Sequence, residues 1–185
     1  MSNAEAILTE AKKLFMAGMH ANCIEYFTRA EALGADPIVS RLSRGAAYVS
    51  INEYDKAIQD FNRVLELSPD MERAHYFRGV AYMNKGFFNE ATKDLSRAIE
   101  LNCERGDTFF ARGLALAEQG KKEESVRDLK TAIAFTSFEV ERFARTFRNN
   151  PDLHGKSLAM LEGKKDSRAM VMNADDMAKL RKLVH

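Results

Sequence analysis

Arg44, Arg78 and Arg112 stand 34 residues apart, and sixteen residues after each comes an aspartate: Asp60, Asp94 and Asp128. Guanidinium and carboxylate at matched phases can do one of two things. They can pair and pin two segments together, or the arginines can offer cations to an anionic ligand. One period before Arg44 and Asp60 the chain carries Glu10 and Tyr26, so arginine and aspartate are present together or missing together. That favours an ion pair within each repeat. The rival partners are Arg63 and Arg97, three residues after Asp60 and Asp94 on the same helix. If exposed, such pairs contribute only about 0–1 kcal/mol each. Their expected role is stapling rather than ligand binding.

Other side chains with chemical potential are scattered. His20, His75, His154 and His185 have no ligand spacing to a cluster of cysteine or carboxylate. His75 is expected to pack between helices. Cys23 and Cys103 form no CxxC pair and imply no disulfide framework, which fits a reducing, cytoplasmic setting. Cys103 falls at an expected turn and reads as an ordinary loop thiol. No phosphate-binding loop, dinucleotide fingerprint or nucleophile elbow is present. The expectation is a non-catalytic protein with no metal and no cofactor.

With 28 basic and 27 acidic residues among 185, no global field argues for a nucleic-acid partner. Residues 140–185 are mildly basic, ten Lys/Arg against six Asp/Glu. Arg142, Arg145 and Arg148 recur there, but a solvated face explains them better than a phosphate-binding stripe. No signal peptide is apparent, and no apolar run approaches the ~20 residues of a membrane span.

The elements that hold the arginines in phase come from the same 34-residue period. It divides the chain into units 4–37, 38–71, 72–105 and 106–139. Small residues fill the eighth position (Ala11, Gly45, Gly79, Gly113) and the twentieth (Cys23, Ala57, Ala91, Ser125). The twenty-seventh holds Ala30, Val64, Ala98 and Ala132. Bulky residues recur at the eleventh (Leu14, Tyr48, Tyr82, Leu116) and twenty-fourth (Phe27, Phe61, Leu95, Leu129). Small side chains at fixed places let helix axes approach closely. Apolar spacing is helical and predicts helices near Arg41–Ile51 and Asp55–Leu67, joined by a turn at Asn52-Glu53. Gly18, Gly86 and Gly120 occupy the equivalent turns, and Ser68-Pro69-Asp70 closes the second unit.

This pattern resembles the tetratricopeptide repeat family, whose units are 34-residue helix–turn–helix pairs. The letters that match are the small residue at eight with Tyr or Leu three later, the Ala at twenty, the Phe or Leu at twenty-four, and Pro69. Ile7, Arg41, His75 and Phe109 stand where the family usually has tryptophan, and Cys103 and Ser137 where it has proline. The resemblance covers residues 4–139. It implies an all-α, right-handed superhelical solenoid of four helix–turn–helix repeats. A capping helix would follow at 140–150, then a 151–185 tail with an amphipathic helix near 174–184.

The family also lines a concave groove with its first helices. Carried over by position, the partner-binding residues are Leu8, Lys12, Phe15, Leu42, Val49, Arg73, Tyr76, Phe77, Val80, Met83, Phe110 and Leu114, with Met16, Ser43 and Ala46 among further groove-facing positions. The expected surface is a nearly continuous apolar strip, of the kind that takes a partner helix or peptide. The carboxylate-gripping pattern of chaperone-binding members is not met. Of its five positions, only Arg73 supplies a suitable cation. The function implied is a protein-interaction adaptor for an apolar or amphipathic segment. The alternative is a self-assembling structural protein whose tail occupies its own or a neighbour's groove.

Overall fold

The computed structural model describes residues 2–135, and every described element is a helix. In chain order these are α1 (Asn3–Met16), α2 (His20–Ala32), α3 (Pro37–Ser50), α4 (Tyr54–Leu67), α5 (Glu72–Asn84), α6 (Phe88–Leu101), α7 (Gly106–Glu118) and α8 (Lys122–Ala134). The 140–150 cap and the 151–185 tail lie outside the described residues. Two compact bodies divide the chain, residues 1–85 and 86–185. The first holds α1 to α5 and the second α6 to α8.

Local chemistry sets where the helices begin and turn. Ser2 and Glu5 form a capping box: Ser2 Oγ accepts from the Glu5 amide at 3.2 Å while the Glu5 carboxylate accepts from the Ser2 amide at 2.7 Å. Asp36 caps α3 by accepting from the Ile38 amide at 2.8 Å, with Pro37 in the first turn. That cap starts α3 four residues before the expected Arg41. The turns within repeats need positive φ, and Asn52 adopts 64° where Gly18, Gly86 and Gly120 adopt 76°, 80° and 76°. Asparagine tolerates this region better than most residues, and here its side chain accepts a hydrogen bond from Tyr54 Oη at 2.6 Å.

All twelve small positions are buried, as are the four bulky residues at the twenty-fourth position. The two sets meet in detail. A Cβ added at Gly45 would sit 2.5 Å from the Phe61 ring, and one at Gly113 would sit 3.1 Å from Leu129. In the first repeat Ala11, Cys23 and Phe27 form one core cluster, joined by Ala47 of the next repeat. Packing at this density leaves no room for an extra methylene without displacing a neighbour.

Two of the arginine–aspartate pairs form, Arg44 with Asp60 and Arg112 with Asp128, and neither is exposed. Arg44 donates twice to Asp60, from Nε at 2.7 Å and Nη2 at 2.6 Å, and both residues are buried. Arg112 does the same to Asp128, at 2.7 and 2.9 Å. Of the rival arginines, Arg63 pairs with Glu66 and Arg97 with Glu100. Each guanidinium also reaches back one repeat. Arg44, Arg78 and Arg112 donate through Nη1 to Thr28, Asn62 and Ser96 at 2.9, 2.7 and 3.1 Å. Glu31 adds a second carboxylate beside Arg44 at 3.3 Å and pairs with Arg41 at 2.5 Å. Hydrogen bonding to Asp60 holds the Arg44 guanidinium above its ordinary pKa despite burial.

Burial changes the energetic expectation. Removing one partner of a buried pair leaves an uncompensated charge and costs about 3–5 kcal/mol, against about 0–1 for an exposed pair. Asp60→Ala should therefore lose roughly 2–4 kcal/mol in denaturant unfolding, Glu31 and Thr28 sparing part of the full penalty. A loss no larger than that of the exposed-pair variant Glu66→Ala would contradict the stapling role. Gly45→Ala gains about 1 kcal/mol of helix propensity but meets a buried ring, so it should be net destabilising by about 1–2 kcal/mol. Gly113→Ala meets only the edge of a leucine and should cost less. Equal effects at the two sites would refute the close approach as the reason for glycine.

Candidate functional site

Within the first body the first helices of consecutive repeats touch: α1 packs on α3 and α3 on α5. They frame an open, mainly apolar pocket of about 400 Å³. Its walls are Phe15 of α1 and Phe77 of α5, with Leu42 of α3 between them. Phe27 of α2, fully buried, lies at its base. Ser43 and Ala46 complete the α3 side. Lys12 and Arg73, both exposed, stand on α1 and α5. Met16 also lines it and is 84% exposed, the most exposed of the large apolar side chains described.

The aromatic walls are fixed by neighbours. Phe77 stacks on Phe61 with centroids 5.9 Å apart and meets Tyr76 edge-on at 5.1 Å. Phe15 meets the His20 ring edge-on at 5.0 Å. Rings held this way give a preformed surface that pays little ordering entropy on binding. Burial pushes the His20 imidazole below its ordinary pKa, which keeps it neutral beside Phe15 near pH 7.

Of the twelve residues expected in the groove, Lys12, Phe15, Leu42, Arg73 and Phe77 converge on this pocket. Leu8 is half-buried and packs against the core clusters of the first repeat. Val49, Tyr76, Val80 and Met83 are buried, at 5%, 3%, 0% and 1% exposure. Phe110 and Leu114 are buried in the second body. The exposed apolar strip is therefore shorter than expected. Helical phase names the face a residue occupies, but exposure depends on how closely the neighbouring helices cover it. Phe27 was missed in the other direction: its position marks it as core, which it is, yet it also lines the pocket.

A second, more polar pocket of about 510 Å³ lies in the second body, lined by Lys93, Lys121 and Arg127 together with Glu124. Arg112 and Asp128 border it but are spent on each other. His75 was expected to pack between helices. It is half-buried and its Nε2 donates to the Pro69 carbonyl at 2.9 Å. Cys103 is exposed and Cys23 buried, where burial raises the thiol pKa. Among the described residues no group of three metal-ligating side chains occurs, and no helix is long and apolar enough to cross a membrane.

Burial separates surface from core here. Val80→Asp should lose several kcal/mol and broaden or abolish cooperative unfolding, whereas Met16→Asp should stay within about 0.5 kcal/mol of the parent. Circular dichroism melts of the two variants check this. Equal, small effects would mean that Val80 belongs to the open surface after all.

Residues 45–86 match the family model described as TPR repeat, and residues 72–102 match that of the tetratricopeptide repeat. No curated protein sequence matches the chain. Among solved structures, a crystal structure of MamA is 23% identical with a TM-score of 0.65, over 77% of this chain and 81% of that one. MamA from Desulfovibrio magneticus RS-1, residue 41 to the end, is 16% identical with a TM-score of 0.70, over 99% of this chain and 96% of that one. YrrB, described as a TPR protein with an unusual peptide-binding site, is 21% identical with a TM-score of 0.63, over 71% and 68%. At these identities the likeness establishes the fold.

Proposed function

We infer the function from a family premise: this chain is a tetratricopeptide repeat protein, and such repeats are generally non-catalytic interaction modules. It acts as a protein–protein interaction scaffold. The finer proposal is that the pocket on α1, α3 and α5 holds a peptide or amphipathic helix from the partner by one of its apolar side chains.

The observation that carries this reading is the combination of a preformed apolar pocket with a large apolar side chain left in water at its edge. Met16 is 84% exposed beside Phe15, Leu42 and Phe77. Exposed apolar surface of this kind costs solubility and is commonly retained for interaction, and methionine adapts its shape to what covers it. The volume falls within the ~300–1,000 Å³ typical of ligand pockets. The described neighbour YrrB, named for a peptide-binding site, is an analogy in the same direction and adds no residue assignment.

Met16→Trp introduces the only tryptophan into a chain that has none, and it sits where a ligand would cover it. Titrating that variant with amphipathic helical peptides should shift and saturate its emission. Ser43→Phe, which places a ring in the pocket from α3, should reduce the affinity at least tenfold while leaving the helical dichroism unchanged. A panel of such peptides that leaves the emission flat, or binds the filled variant equally well, would contradict the proposal.

A further inference from the structure

We propose that the occupant of this pocket is an acidic one: a peptide segment with a bulky apolar side chain seated between Phe15 and Phe77 and a carboxylate within one or two residues of it, held between Lys12 and Arg73. This rests on the scaffold reading and names the partner's chemistry.

Charge complementarity carries the inference. The pocket lining contains two cations and no carboxylate. Nearby cations are already paired: Lys13 with Glu10, Arg41 and Arg44 with Glu31 and Asp60, and Lys85 with Asp55. Among the described residues Lys12 and Arg73 have no such partner. They project from different helices, α1 and α5, on the two sides of an apolar floor supplied by α2 and α3. An anion placed there meets two cations without having to displace a resident carboxylate. A wholly apolar ligand would crowd both cations without pairing either, and a basic one would be repelled.

The arrangement differs from a grip on a chain-terminal carboxylate. That needs several donors converging on one group, whereas two long, exposed side chains can meet an internal aspartate or glutamate at variable spacing. Long flexible cations on the rim tune specificity and association rate more than they anchor. The anchor is the apolar side chain. The selection against neutral and basic segments comes from Lys12 and Arg73.

The test uses the full chain and an array of eight-residue peptides with Leu or Phe at the centre and Asp, Asn or Lys on both sides. The parent should bind the Asp-flanked peptides about tenfold tighter than the Asn-flanked ones at low salt, with the Lys-flanked set weakest. Raising the salt should narrow the gap. The double variant Lys12→Glu/Arg73→Glu should reverse the order without a change in its thermal unfolding midpoint, since both residues are exposed. Binding that ignores the flanking charge, or an order unchanged in the double variant, overturns the acidic assignment while the scaffold reading stands. If no member of the array binds, both fall.

Discussion

In α1 with α2, α3 with α4 and α7 with α8, the two helices are held at a distance set by one contact: a residue with little or no side chain on the first helix against a large apolar residue on the second. Gly45 lies under Phe61, and Gly113 under Leu129, while Ala11 and Phe27 share one cluster in the first repeat. Close approach brings the remaining small residues into van der Waals contact and buries them completely. A larger side chain at the eighth position would push the helices of a pair apart, and the neighbouring first helices with them. The pocket on α1, α3 and α5 exists because those three helices lie side by side.

Shape alone does not fix how successive pairs are oriented, and here the arginines contribute. Arg44 joins Asp60 of its own repeat to Thr28 of the preceding one, and Arg112 joins Asp128 to Ser96 in the same way. The bidentate fork is directional, so it constrains rotation as well as distance. A buried ion pair is a poor source of net stability compared with apolar packing. Its value here is geometric. Arg44 is on the same helix as Leu42, Ser43 and Ala46, so the contact that fixes α3 also fixes what α3 presents to the pocket. The fourth repeat has Lys130 at the phase of Thr28, Asn62 and Ser96, a donor where the first three repeats have an acceptor.

Much of this was legible in the sequence because it depends on period. The small positions, the bulky positions, the turns at Gly18, Asn52, Gly86 and Gly120, and the pairing of Arg44 with Asp60 all follow from residues recurring at 34. The cross-repeat acceptors were missed, although Thr28, Asn62 and Ser96 share a phase and each can accept a hydrogen bond. A partner in the adjoining repeat gives no signal within the repeat that is being compared. The start of α3 was misplaced because the Asp36-Pro37 cap lies just before the unit boundary. The site was harder to see. Lys12, Phe15, Leu42, Arg73 and Phe77, which the resemblance assigns to the groove by position, line one pocket. Tyr76, Val80 and Met83 share that face yet are buried, because exposure is a property of several helices at once and periodicity describes one.

The central claim is that binding is confined to the face made by α1, α3 and α5. Backbone amide chemical-shift mapping of the full chain with an amphipathic peptide addresses it most directly. The account predicts perturbations clustered around Phe15, Leu42 and Phe77, with residues 89–93 and 121–128 of the polar second pocket undisturbed. Shifts concentrated at Lys93, Lys121 and Arg127 instead, with the first helices silent, would contradict it.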